Sequence, residues 1–135
     1  EVPQDPYLEL RLAVAEETDL PVVPNWAPND TKLVGAVSMI KRTDGNRIQA
    51  VYSVNGERFT VRIQIYDSVP DVYTGIYQDS SEEIVEYKVS DITHYLMNNN
   101  GHLLATWVNE NIECFIQGNL SKSDLEKIIN SIYEE

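Results

Sequence analysis

Apolar and polar residues change period along this chain, and each change predicts an element. From Ile48 to Ile63 the period is two, the signature of strands with one buried face. Asn55-Gly56 lies at the centre of this stretch, and a two-residue type I′ turn needs positive φ at both positions, which Asn and Gly tolerate. Folding back there pairs Tyr52 with Phe59, Ala50 with Val61 and Ile48 with Ile63, all apolar and all on one face. Arg62 and Gln64 then meet Gln49 and Arg47 on the other face. Asp44-Gly45 signals an earlier hairpin whose register stays open. A two-residue loop turns Leu33, Val37 and Met39 inward but sets Arg42 opposite Arg47. A three-residue loop removes that clash and turns Val34, Ala36 and Ile40 inward instead.

Strand periodicity returns at Ile84 to Val89, Ile92 to Met97, Leu103 to Val108 and Ile112 to Gln117. A four-residue turn over 98–101 is expected between the second and third, pairing Met97 with His102, and Asn109-Glu110-Asn111 separates the third from the fourth. Ser121-Lys-Ser-Asp124 resembles a capping box with Asp in place of Glu. It precedes Leu125, Ile128, Ile129 and Ile132, one helical stripe whose burial stabilises by about 6–12 kcal/mol before correction for the unfolded state. Near the other end, Asp5-Pro6 reads as an N-cap followed by a first-turn proline. Residues 7–17 satisfy both periods; the abundance of good helix formers favours a helix, with stripes Leu8-Leu12-Ala15 and Tyr7-Leu10-Val14, ending near Asp19 and Pro21. The three prolines between 21 and 30 exclude helix and central strand, leaving an extended connector with Trp26 as its anchor on the core.

These elements predict an α+β fold. One curved antiparallel sheet of about six or seven strands packs against N- and C-terminal helices, in a single domain spanning residues 1–135. The length suffices for a core without disulfides or metal. With 22 acidic residues against 10 basic ones and a net charge of -12, the surface would repel a nucleic-acid duplex or an anionic bilayer, so neither is expected as a partner. No hydrophobic run approaches the roughly 20 residues of a membrane span, so no direct membrane insertion by this segment is expected. The start at Glu1 suggests a processed or trimmed product, a start compatible with removal of an export signal or anchor.

No constellation of reactive residues emerges, and the expectation is a non-enzyme without catalytic, metal or cofactor-binding residues. Cys114 shares a face with Ile112 and Ile116 and reads as a small buried hydrophobe, not a reactive thiol. His94 falls on the face of Ile92 and Leu96, and His102 on that of Met97 and Tyr95, so the two imidazoles cannot share one zinc ion. The carboxylate pairs Glu16-Glu17, Glu82-Glu83 and Glu134-Glu135 sit in polar runs near element ends, the usual place for solvated surface. Contact candidates are Trp26 and the tyrosines Tyr66, Tyr73 and Tyr77, which lie in and beside a long acidic stretch over 67–82; amphipathic rings of this kind favour protein and sugar contacts.

The stretch from Val89 to Ile132 resembles a bacterial family of domains of unknown function. The resemblance rests on Ile92-Thr-His-Tyr-Leu, Leu104-Ala-Thr-Trp107, Ile112-Glu-Cys-Phe-Ile-Gln-Gly118 and Leu120-Ser with the helix ending Ile-Ile-Asn-Ser-Ile132. Upstream, Leu20-Pro-Val-Val-Pro-Asn-Trp-Ala-Pro also fits, although Ala27-Pro-Asn-Asp stands where the family commonly has Leu-Pro-x-Gly-Tyr. The family is known mainly from Firmicutes, in the extracytoplasmic parts of membrane-anchored anti-sigma-factor-like proteins and in small secreted proteins or lipoproteins. The resemblance therefore implies an extracytoplasmic sensory or protein-interaction domain, membrane-anchored or secreted. The alternative is a secreted carrier holding a small apolar ligand between sheet and helix, which requires a void there.

Overall fold

In the computed structural model, which describes residues 5–68, 84–99 and 101–134, the chain begins with helix α1 (Leu8–Ala15). Eight strands follow among the described residues: β1 (Lys32–Leu33), β2 (Ser38–Arg42), β3 (Gly45–Val54), β4 (Glu57–Tyr66), β5 (Val85–Val89), β6 (Ile92–Asn99), β7 (His102–Asn109) and β8 (Ile112–Gly118). Helix α2 (Lys122–Ile132) closes the fold. The strands make one sheet in the order β1-β3-β4-β8-β7-β6-β5, with β2 also paired to β3 and every described pairing antiparallel. Because β1 and β2 share one edge of β3, the sheet is seven positions wide. The architecture is α+β.

The Asn55-Gly56 hairpin forms in the register its side chains require. Both turn residues have positive φ, +51° and +81°, and Tyr52 faces Phe59, Ala50 faces Val61 and Ile48 faces Ile63. All six are buried. The first hairpin departs from both readings of the sequence. Its turn is Thr43-Asp44, Gly45 opens β3, and Met39 faces Ile48. Leu33 and Met39 keep the orientation of the two-residue reading, while Arg42 lies opposite Gly45 instead of Arg47, so no like-charge pair forms. Gly45 is excluded from the turn by a close approach: at φ +149°, a Cβ there would lie 1.9 Å from the Ile65 carbonyl oxygen.

The four-residue turn over 98–101 is also corrected. Asn99 pairs with His102 and Met97 with Leu104, leaving two residues between β6 and β7. The slip is by two places in pairing, so the assignment of residues to faces is unchanged. Ser90-Asp91 and Glu110-Asn111 make two further two-residue connections, with positive φ at Ser90, Asp91 and Glu110.

Helix α1 starts later than the Asp-Pro signal implied. Asp5 Oδ1 accepts from the Tyr7 N–H, and the Asp5 carbonyl accepts from the Leu8 N–H, so Asp5 builds a turn ahead of the helix and Tyr7 takes the cap position. Of its two stripes, Tyr7-Leu10-Val14 is buried, whereas Leu8 and Leu12 are exposed. The end also comes early, at Ala15. Helix α2 follows its pattern: Ser121 Oγ accepts from the Asp124 N–H at 3.0 Å, and Leu125, Ile128, Ile129 and Ile132 are buried. Both helices share one continuous core with the sheet face carrying Ile48, Tyr52, Phe59, Ile63, Ile112 and Ile116. Among the described residues no helix is long and apolar enough to cross a membrane.

Candidate functional site

The proline-rich connector is fastened to α2 through one hydroxyl. Ser131 Oγ accepts from the Asn25 N–H at 2.9 Å and from the Trp26 N–H at 3.0 Å, while donating to the Ile128 carbonyl. Asn25 Nδ2 donates to the Ser131 carbonyl, and the Tyr7 hydroxyl donates to the Trp26 carbonyl at 3.0 Å. Outside regular structure the Asn25 and Trp26 N–H groups need acceptors from elsewhere, and α2 provides one for both. Trp26 is thereby held half-buried, with Lys127 Nζ 5.5 Å from its ring centroid. Trp26, Lys127, Asn130 and Glu134 line a shallow cleft of about 150 Å³. It offers one aromatic plate, one cation, one amide and one carboxylate.

Asn130 links this cleft to a polar island under the C-terminal end of α2. Its Oδ1 accepts from the Tyr87 hydroxyl at 2.8 Å. The Tyr87 carbonyl in turn is 2.9 Å from His94 Nδ1, and His94 Nε2 is 2.6 Å from the Tyr133 hydroxyl. A carbonyl only accepts, so Nδ1 carries the proton, and in the neutral ring Nε2 accepts from Tyr133. Burial pushes its pKa below the ordinary histidine value, against the opposing pull of the Tyr87 and Ile92 backbone. The ring lies 4.8 Å from Trp107 and 5.5 Å from Tyr133 between centroids. Cys114 is buried too, its thiol pushed well above its ordinary value by burial and then by Glu113. A protonated thiol in this setting is not a nucleophile.

A second cleft, also about 150 Å³, opens between sheet and helix at the N-terminal end of α2. Val85, Leu96, Leu103 and Leu125 make its apolar wall, with Met97, Asn98 and Lys122 beside it.

The contact candidates from the sequence do not converge. Trp26 sits in the helix layer. Tyr66 lies on the opposite face of the sheet, its hydroxyl donating to Glu113 Oε1 at 3.0 Å. Tyr73 and Tyr77, with most of the acidic stretch over 67–82, lie outside the described residues. His94 is fully buried and His102 exposed, on opposite faces as their parity required. Among the described residues no three His, Cys, Asp or Glu are grouped to hold a metal ion.

Sequence reasoning missed Ser131, Asn130, Lys127 and Glu134. Ser131 had a weak signal, a small polar residue beside the Ile128-Ile129-Ile132 stripe. The other three look like an ordinary solvated helix face until the connector is laid across it.

A family model described as a domain of unknown function, DUF4367, matches residues 21–132. No curated protein is significantly similar to the chain.

Proposed function

We propose, for a chain that belongs to the DUF4367 family of domains of unknown function, a non-enzymatic role as an extracytoplasmic sensory or protein-interaction domain, the outer part of an anti-sigma-like signalling protein. The observation that carries this reading is the mounting of Trp26. Its backbone is tied on both sides, by Ser131 to the N–H and by Tyr7 to the carbonyl, while its ring borders an open cleft. Tryptophans with rigid backing and a polar rim are the common anchors of protein interfaces. A volume of about 150 Å³ is small against the roughly 300–1,000 Å³ of small-molecule sites. A flat partner surface suits it better. Binding there engages Asn130, and through it Tyr87 and the buried His94.

The test places a photo-crosslinking residue at position 127 in the full-length protein of intact cells. One discrete protein adduct is expected, lost on Trp26→Ala at unchanged thermal midpoint. Absence of any adduct, with efficient crosslinking from an unrelated exposed site, removes the reading. Protease added to spheroplasts is expected to digest the domain; full protection would instead put it in the cytoplasm.

A second reading rests on the cleft by Leu96, Leu103 and Leu125. An apolar cavity of about this size accepts a benzene-sized group, so a carrier of a small apolar ligand is the alternative. Native mass spectrometry decides: a co-purifying apolar ligand displaced by Leu103→Trp supports the carrier.

A further inference from the structure

The sheet face turned away from the helices carries an arrangement that neither cleft uses. Arg47 on β3 and Arg62 on β4 are diagonal neighbours, each opposite a glutamine. Arg47 Nε donates to Gln64 Oε1 and Arg62 Nε donates to Gln49 Oε1, both at 3.1 Å. Arg62 also sits over Phe115, with Cζ 4.5 Å from the ring centroid. Both guanidiniums are thus held at their Nε edge, and the Nη groups have no partner among the described residues.

In a chain with 22 acidic residues against 10 basic ones, two half-buried arginines without a carboxylate within 4.0 Å among the described residues form an unbalanced pair. The described ion pairs are elsewhere, at Arg11–Asp5 and Arg42–Asp44. The imbalance is felt: Arg62 is drawn below its ordinary pKa first by burial and then by Arg47, with Glu113 pulling the other way. Gln64 supplies an independent sign. It is 4% exposed, its Oε1 is occupied by Arg47, and its Nε2 has no hydrogen-bond partner. A buried donor without an acceptor costs about 1–3 kcal/mol. The uncommitted nitrogens of these three side chains are all N–H donors, and an oxygen bearing negative charge would satisfy them.

We propose that Arg47, Arg62 and Gln64 form a binding site for an oxyanion, a carboxylate or phosphate group, on the outer face of β3 and β4. Diagonal neighbours on a sheet face are about 7–8 Å apart, a span that one oxyanion bridges when each arginine turns its fork inward. Gln64 joins by rotating its amide toward the bound oxygen. Glu113, opposite Gln64 on β8 and held by Tyr66, opposes the anion and keeps binding weak.

Arginine Nε–Hε and glutamine amide resonances of the ¹⁵N-labelled domain report directly on these groups. The domain is titrated with inorganic phosphate and, separately, with acetate, sodium chloride holding the ionic strength constant. Saturable shifts at Arg47, Arg62 and Gln64 are expected, with dissociation constants on the order of millimolar. R47Q and R62Q should each weaken binding about fivefold or more, and E113Q should strengthen it about threefold. The stronger of the two anions identifies the source. Linear shifts matching those from chloride, or shifts that survive in the double arginine variant, overturn the site. If the arginine variants unfold, E113Q still decides: no tightening counts against the proposal.

Discussion

Two hairpins of the same sheet use alternation differently. In β3–β4 the middle of the face toward the helices is apolar, with Ile48, Ala50, Tyr52, Phe59, Val61 and Ile63 at most 2% exposed. The other face carries Arg47, Gln49, Thr60 and Arg62, all partly exposed, with buried Gln64 as the exception. In β6–β7 no such division holds. Leu96, Ala105 and Trp107 are buried toward the helices, but Met97, Leu104 and Thr106 are buried on the opposite face, and the helix side admits His94. Period two states which residues share a face; it does not state how many faces are dry.

Gly118 joins the two hairpins, since it pairs with Phe59 of β4 on one side and Leu103 of β7 on the other. A Cβ there would lie 2.4 Å from Phe59 Cβ and 2.6 Å from the Arg58 carbonyl oxygen. Gly118→Ala is therefore expected to cost about 4 kcal/mol or more in urea denaturation. A cost under about 1 kcal/mol would mean that the hairpins do not meet this closely.

Next in size comes a direct test of the dry faces. Ile63→Ala should cost about 3–4 kcal/mol and Met97→Ala about 2–3 kcal/mol. If Met97→Ala is nearly neutral, the outer face of β6 is not packed and the contrast between the hairpins disappears.

The polar island adds a pH dependence that β3–β4 lacks. With the folded pKa of His94 held below the unfolded value of about 6.5, the unfolded chain binds the extra proton first as pH falls. Stability is thus fully present above the unfolded pKa and declines below it, until the folded state also protonates. The decline is expected to be on the order of 1 kcal/mol per pH unit. It should be absent in His94→Gln, read as the wild-type-minus-variant difference between pH 7 and pH 5.

The smallest effects concern the turns. Gly56 occupies φ +81° with open space around it, whereas Asp91 occupies φ +65° without being glycine. Gly56→Ala should destabilise and Asp91→Gly stabilise, each by about 0.5–1 kcal/mol in thermal unfolding. The same sign for both would show that backbone preference does not govern these turns.

Much of this is local, which explains what could be read early. The β3–β4 register followed from one turn and six apolar residues, and α2 from a cap and a stripe, because both patterns contain their own partners. The first hairpin lacked that property. Its turn moved to Thr43-Asp44 because Gly45 had to pass close to Ile65, a residue of another strand. The helix α1 had two stripes, and only the docking of Tyr7 beside Tyr52, ring centroids 5.1 Å apart, selected one. Of the candidate site, Trp26 was visible as the aromatic of a proline-rich connector. Its clamp Ser131 was not, since the two meet across more than a hundred residues.

The sequence by itself determined the α+β class, the faces of the central hairpin and of the strands from Ile92 to Gln117, and the closing helix. Those depend on side-chain period and on backbone preferences acting within a few residues. The tertiary structure alone decided which distant groups meet and which are left over: His94 hydrogen-bonded between two tyrosines, Trp26 pinned over a cleft, and two arginines with no carboxylate within 4.0 Å among the described residues. Such balances are sums over groups distant in the chain, and no local pattern records them.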